Sequence, residues 1–425
     1  MILDLTQHLA SISQVKDFFV ARQPILNRDQ NLIAYELLFR RVATGPANVI
    51  DDLRGTASVI AHTLELGIEN VTGSALGFFN VDAALLMCDF VNFLPCDKVV
   101  FEILETVKVT PELIQRVSEL VNAGYTFALD DVVALTEDIE KLLPLVKIIK
   151  IDISGMTQSD LAILVSQFKQ ARKLLLAEKV ETIEQFRNCL DLGFDYYQGY
   201  YFAKPVILSG KKLGTSELAI MQLLTLIATD ADNTEIENSI KKEASISISL
   251  LRLVNTPAMG VTKSIHSLSG VLMVLGRSQL QRWLQIQLYT ETRKGDHSVL
   301  PLLSLATTRG KLLELIAGKL QPANKSAADT AFTVGLISPL DALLGQPMED
   351  ILEQIVLGKD VSEALLYRKG FYGDLLKLSE YVERPDEASQ LLASLLLKLQ
   401  LSAEDLYPLQ LEAFGWSNNL SSLMH

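Results

Sequence analysis

Acidic and amide side chains stand at the ends of one short apolar run after another in the first half of this chain. GFFNVD ends on Asn80 and Asp82, VVFEILE carries Glu102 and Glu105, and TFALDD closes on Asp130 and Asp131. IIKID offers Lys150 and Asp152, LLLAEKVE offers Glu178 and Glu181, and YYQGY offers Gln198. Carboxylates crowded together repel one another unless a cation sits between them. Gathered in one place, these residues would make a divalent-metal site.

Strands are the elements that could gather them. Short apolar runs separated by helical stretches read as buried parallel strands in βα units. Residues leaving the carboxyl ends of such strands point into one shared mouth when the strands close into a barrel. Helical spacing falls between the runs at residues 59–66, 111–122, 138–143 and 160–173, and Gly124 reads as a helix stop before a strand. The polar segment 207–216 reads as a linker. Beyond it strand signals fade, and apolar residues recur at helical intervals through SELAIMQLLTLIAT, SLSGVLMVLGRSQLQRWLQIQLYT and DEASQLLASLLLKLQ. The expected organisation is a barrel over residues 1–206, a linker over 207–216 and an all-helical module over 217–425.

Composition narrows the partners. A net charge of -13 argues against a broad grip on a nucleic acid polymer. A small phosphodiester could still bind through metal ions and a few Arg or Lys side chains. Cys88, Cys96 and Cys189 are too few and too irregularly spaced for a disulfide framework or a zinc knuckle, and read as buried, inert thiols in a reducing cytoplasm. No apolar stretch is read as long enough to cross a bilayer, so no membrane partner is expected. The first twenty residues lack a basic segment ahead of an apolar core and read as a short helix rather than a signal peptide.

FFVARQPILN followed by AYELLFR resembles the first motif of EAL domains, the TIM-barrel phosphodiesterases that open cyclic di-GMP to a linear dinucleotide. FNVD, FEILE, LDD, IKID, LAEKVET and YYQGYYFAKP follow in the family's order. LLRLVNTPAMG, VLMVLGRSQLQRWL and AFTVGLISPLDALLG resemble the HDOD module, a helical relative of HD-type hydrolases. The resemblance therefore implies an α/β TIM-like barrel of EAL type followed by an all-α HDOD domain. It places Glu36, Asn80, Glu102 and Asp130 at metal-ligand positions, with Asp131 as ligand to a second ion, Mg²⁺ or Mn²⁺. It assigns Glu178 to activating the attacking water and Lys150 to orienting that water and steadying the developing charge. Gln23, Arg40 and Gln198 match substrate-side contacts, and Glu105, Asp152 and Glu181 match supporting positions.

Each residue also has a plainer reading. Asp82 and Asp152 could be helix caps, and Lys150 could pair structurally with a neighbouring carboxylate. Glu137, Asp138 and Glu140 read as a solvated helix start.

The sequence also departs from the family pattern. Val132, Val133, Ala134 and Leu135 replace the Phe-Gly-Thr-Gly loop that follows the paired aspartates in active members, which removes a flexible hinge. Lys179 replaces the glycine of Ala-Glu-Gly-Val-Glu, where its charge is expected to compete for Glu178 or depress its basicity. The barrel half is short enough that a missing helix or strand is conceivable. In the helical half no His is followed by Asp, and Ser338-Pro339-Leu340-Asp341 stands at the dyad position, so this module is expected to be a non-catalytic interaction domain with a protein partner. Two functions follow: a cyclic di-GMP phosphodiesterase of slow or conditional activity, or an inactive sensor or scaffold. Self-association as a homodimer stays open.

Overall fold

The computed structural model of the protein describes residues 18–41, 68–199, 215–256, 259–261, 264–292, 299–355 and 357–422. The expected leading helix, the 59–66 helix and most of the 207–216 linker lie outside these residues. The chain divides into two compact units: Met1–Lys204 together with Leu378–His425, and Pro205–Lys377. The stretch expected as one helical module, 217–425, thus contributes its last segment to the unit that contains the barrel.

Eight strands close the barrel in sequence order: β1 Phe18–Asn27, β2 Leu32–Arg41, β3 Leu76–Val81, β4 Val99–Ile103, β5 Thr126–Leu129, β6 Ile148–Asp152, β7 Leu174–Glu178 and β8 Tyr196–Tyr197. No strand is missing. The expectation of parallel strands fails at β1, which runs antiparallel to both β2 and β8. The reason is local: only four residues, 28–31, separate β1 from β2, and a parallel crossover needs about a dozen. Asn27 Oδ1 accepts the backbone N–H groups of Asp29 and Asn31, and Gln30 takes φ 59°, closing a hairpin.

Side chains on a strand alternate between faces, so residues two apart share one face. Ile25, Ala34, Phe78, Val100, Ala128, Ile148 and Leu176 form an apolar cluster inside the barrel. The intervening residues, among them Val99, Phe101, Ile103, Ile149, Ile151, Leu175 and Ala177, belong to the outer core beneath the helices. Helices Pro111–Asn122, Glu137–Leu142, Gln158–Gln170 and Ile183–Leu192 start on Thr110, Thr136, Thr157 and Thr182, each of which accepts a backbone N–H of the first turn. Glu137, Asp138 and Glu140 occupy such a first turn, as read from sequence. Asp82 caps the Ala83–Leu86 helix through the N–H of Leu85.

The helix Ala403–Ser422 completes this unit. Phe414 belongs to the outer core of the barrel, with Tyr407 and Leu411 packed against it. Gln410 Nε2 donates to Val20 O of β1 at 2.7 Å, and Asn418 Nδ2 donates to Asn70 O at 3.1 Å.

In the other unit, Arg282 reaches Glu314 and Asp329, each at 2.5 Å, and lies over the Phe332 ring. Helices Val299–Leu320 and Lys325–Ile337 approach so closely at Gly335 that a Cβ there would stand 2.6 Å from the Arg309 backbone. Contrary to the sequence expectation, the segment Lys325–Leu344 is apolar and long enough to span a bilayer, but 72% of its apolar window is buried, as in a core segment. The cysteines also differ from expectation: Cys189 is buried, with its thiol pushed up to about 12 by burial, but Cys96 is half-buried and Cys88 exposed.

Because Phe414 fills the outer core, Phe414→Ala is expected to destabilise the barrel by about 3–5 kcal/mol. Urea unfolding followed through the exchange of barrel amides measures this. A change within about 0.5 kcal/mol, the range of a surface substitution, would contradict the packing.

Candidate active site

Above the inner apolar cluster, every strand contributes one polar residue to a second layer. On β2 to β4 and on β6 and β7 the polar position lies two residues beyond the apolar one: Ala34 then Glu36, Phe78 then Asn80, Val100 then Glu102, Ile148 then Lys150, and Leu176 then Glu178. Asp130 follows Ala128 just past β5, and Gln198 follows β8. On the reversed strand β1 the order inverts, so Gln23 precedes Ile25. Strand register puts Gln23 opposite Glu36 and Asn80 opposite Glu102.

Lys150 stands at the centre of this layer. Its buried ammonium lies 2.7 Å from Asp130 Oδ1, 2.8 Å from Glu102 Oε1, 3.0 Å from Glu178 Oε1 and 3.6 Å from Glu36 Oε1. Burial alone would lower the Lys150 pKa, but the charges of Glu102, Glu178, Glu36 and Asp130 outweigh it and hold the pKa well above the usual range. Glu36 experiences burial as an upward push, which Lys150 and hydrogen bonds from Gln198, Glu102 and Asn80 overcome, so its pKa is lowered. Burial and the neighbouring Glu36 charge drive Glu102 far upward. Burial, only partly offset by Lys150, pushes Glu178 up to about 8.

The amides brace the layer. Gln198 Nε2 donates to Gln23 Oε1 at 2.8 Å and to Glu36 Oε2 at 2.5 Å, and Asn80 Nδ2 donates to Glu36 Oε1 at 3.3 Å. The oxygens these bonds leave over are informative. Asn80 Oδ1, Glu102 Oε2, Glu178 Oε2 and Gln198 Oε1 are buried and accept no hydrogen bond from the described residues. Unsatisfied buried oxygens are costly, and carboxylate and amide oxygens are the ligands a hard divalent cation takes. Beside them, Glu105, Asp130 and Asp131 offer carboxylate oxygens all within 4.8 Å of one another. Glu105, read from sequence as a supporting residue, thus joins the two aspartates in a second acidic group. Burial and the charge of Asp130 raise the pKa of Asp131.

Other expected residues fall elsewhere. Asp152 pairs with the ammonium of Lys179 and accepts the N–H of Ser154 at 2.8 Å. Lys179 therefore pairs with Asp152 rather than competing for the Glu178 carboxylate, while its charge still acts on Glu178. Lys179 has φ 56°, a left-handed conformation that explains a glycine at this family position and that turns its side chain to Asp152. Glu181 is exposed, and its backbone N–H is held by Gln185 Oε1. Arg40 lies in β2 opposite Phe19, and its side chain is outside the described residues. Sequence reasoning passed over Gly199: at φ 151° a Cβ would stand 2.3 Å from Val180 N, so glycine there lets the chain after β8 close on the turn that follows Glu178. Its place directly after Gln198 was the available signal.

In the helical unit the expected dyad position holds a different contact. Arg309 Nη1 donates to Ser338 Oγ at 2.9 Å, and Asp341 lies in the first turn of the next helix. Among the described residues, the carboxylate group around Asp130 is the one cluster of three or more metal-ligating side chains.

Two outcomes test this electrostatic picture in chelator-treated protein. Glu178 titrates near 8 in the folded state against about 4.5 unfolded, so the native state holds the proton more tightly. The stability this adds is fully present below about pH 4.5 and is lost as pH rises through 8. The wild-type melting temperature should therefore fall from pH 5 to 9 more steeply than that of Glu178→Gln; equal slopes would contradict the assignment. Lys150→Met should cost roughly 3–5 kcal/mol at neutral pH, because it leaves buried carboxylates unpaired. Acidification should shrink that deficit, and a deficit that grows on acidification would refute it.

Residues 6–205 match the EAL domain family and residues 215–358 the HDOD domain family. Over 411 residues the chain is 32% identical to the uncharacterized protein YuxH of Bacillus subtilis (strain 168), covering 95% of this chain and 98% of that protein. Over 416 residues it is 33% identical to the cyclic di-GMP phosphodiesterase CdgJ of Vibrio cholerae serotype O1, covering 96% of this chain and 94% of that one. Among solved structures, the Bacillus subtilis YkuI protein, with an EAL domain and in complex with substrate c-di-GMP and calcium, aligns at 19% identity and a TM-score of 0.39 over 57% of this chain and 75% of its own. Two matched domains in tandem, together with relatives similar over nearly their whole length, show that this chain belongs to the family of proteins that join an EAL domain to an HDOD domain.

Proposed function

We propose that this protein binds cyclic di-GMP at the polar layer of its barrel and hydrolyses one phosphodiester bond to give the linear dinucleotide, with turnover that is slow or conditional. The observation that carries the reading is the convergence of eight polar residues, one from each strand, with buried oxygens left unpartnered. Glu36, Asn80, Glu102 and Asp130 would hold one divalent ion and Asp131, with Asp130 and Glu105 beside it, a second. Mg²⁺ or Mn²⁺ bound there supplies a Lewis acid that acidifies water and offsets phosphate charge.

The chain's own groups account for the rest. Gln23 and Gln198 present amides to the substrate, and Arg40 would grip a phosphate or a guanine edge bidentately. A water oxygen forms a new bond to phosphorus as one ribose P–O bond breaks, Glu178 takes the water proton, and the departing ribose oxygen takes up a proton from solvent to leave as a hydroxyl. Lys150 holds positive charge beside Glu178, where negative charge accumulates on the phosphoryl oxygens. Glu178 itself retains a proton near neutral pH while no cation is bound, which makes hydrolysis depend on filling the metal site. The loop from Val132 to Leu135, without the glycines of active relatives, gives a second reason for conditional turnover.

The helical unit serves as a non-catalytic module for a protein partner, and the protein works in the cytoplasm. A second reading, binding without turnover, is favoured by the Lys150 ammonium. It partly neutralises the carboxylates on its own, and a sensor needs no more than that. Incubation of the full chain with cyclic di-GMP and Mn²⁺ decides between them. Hydrolysis should yield linear dinucleotide, vanish in Glu36→Ala and fall by about 10²–10⁴ in Glu178→Gln. Calorimetric binding with no product would establish the sensor, and neither binding nor product would refute both.

A further inference from the structure

The C-terminal helix Ala403–Ser422 lies beyond both family matches, the second of which ends at residue 358. It nevertheless grips the β1–β2 hairpin, through Gln410 at Val20 and through Phe414 and Asn418 at Arg22. The Arg22 guanidinium is held between two rings, 4.4 Å from the centroid of Tyr35 and 4.1 Å from that of Phe414. It also donates to Val71 O at 2.7 Å and to Asn418 Oδ1 at 3.2 Å. Asn418 in turn donates to Asn70 O, and Gly73 passes close enough that a Cβ there would stand 3.3 Å from Asn418. Arg22 directly precedes Gln23, and Tyr35 directly precedes Glu36. Side chains alternate along a strand, so the Arg22–Tyr35 pair on the outer face backs the Gln23–Glu36 pair on the inner face.

We infer that Phe414 and Asn418 are positioning residues: by clamping Arg22 and Tyr35 from outside, the terminal helix fixes where Gln23 and Glu36 stand in the polar layer. The inference rests on the proposed role of that layer in holding a cation and cyclic di-GMP. The physical basis is the stiffness of a hairpin shared by both faces. Gln198 bonds to both inner residues, so a shift of β1 against β2 would break one or both of those bonds. Two side-chain hydrogen bonds from this helix fall on β1: Gln410 to Val20 O, and Arg22 to Asn418 Oδ1. A segment outside the two recognised domains would then set the affinity of the site. Whatever moves the terminal helix would reset that affinity without touching a ligand.

The test compares the full-chain wild type with Phe414→Ala, Phe414→Tyr and Asn418→Ala. Leu120→Ala serves as a control that opens the same outer core in the Pro111–Asn122 helix, away from the hairpin. Mn²⁺ and cyclic di-GMP affinities are measured by calorimetry, and backbone hydrogen exchange is read at β1 and β2. Phe414→Ala should weaken Mn²⁺ binding by about tenfold or more, as loss of an orienting partner does. It should also speed exchange at β1 and β2 selectively. Phe414→Tyr, which keeps a ring over the guanidinium, should restore both. Asn418→Ala should shift both in the same direction by less, and it stands in for Phe414→Ala if that variant does not fold. Leu120→Ala should change neither. Unaltered β1–β2 exchange in folded Phe414→Ala and in Asn418→Ala, or equal effects from Leu120→Ala, would overturn the inference. Should the wild type bind neither Mn²⁺ nor the dinucleotide, the proposed function fails, and the exchange result alone still decides whether the helix holds the hairpin.

Discussion

The Lys150 ammonium is the counter-charge on which the interior of the barrel depends. A buried ammonium is expensive on its own, and so is each of the four carboxylates around it. Together they offset one another, but not completely: one positive charge faces Glu36, Glu102, Asp130 and Glu178. The shortfall shows in the carboxyl groups. Glu102 and Glu178 are driven upward toward their neutral forms, whereas Glu36, reached by Gln198 and Asn80 as well as by Lys150, stays ionised. A site in this condition is poised to exchange protons for a cation, and its unpartnered oxygens are the atoms a cation would meet.

That arrangement demands little of local structure and much of the barrel. Each polar residue is delivered by ordinary period-two alternation, and closure brings eight separate positions into one layer. The antiparallel β1 is no exception, because reversing the strand reverses the order of Gln23 and Ile25 and keeps both facing inward. The outer surface of the same hairpin is covered by a helix from the far end of the chain. The unit that carries the site is therefore assembled from two stretches of sequence, with Pro205–Lys377 forming its own compact unit between them.

Most of the layer can be read from sequence because its determinants are local. An apolar residue, a spacer and then a carboxylate or amide, as in Val100-Phe101-Glu102 or Leu176-Ala177-Glu178, announces a strand that turns a polar group inward at its carboxyl end. The sense of β1 was equally local, since four residues cannot carry a parallel crossover, although the pattern of apolar runs alone suggested otherwise. For Lys179, charge weighed without backbone conformation misses the direct partner: at φ 56° its ammonium pairs with Asp152, and only its charge reaches Glu178. The sandwich of Arg22 between Tyr35 and Phe414 carries no local signal. Arg22 and Asn418 are 396 positions apart, and an apolar helix near the end of a chain reads the same whether it covers a barrel or a neighbouring helix. Asp130 shows the intermediate case, where the residue was legible but its double allegiance, to Lys150 and to the group formed with Asp131 and Glu105, required coordinates.

The most direct measurement is an anomalous-scattering map of crystals of the full chain grown with Mn²⁺ and cyclic di-GMP. The account requires a Mn²⁺ peak within the polar layer, bonded to oxygens of Glu36, Asn80, Glu102 and Asp130, with the dinucleotide phosphate beside it. A layer without metal at saturating Mn²⁺, its carboxylates still closed around Lys150, would contradict it.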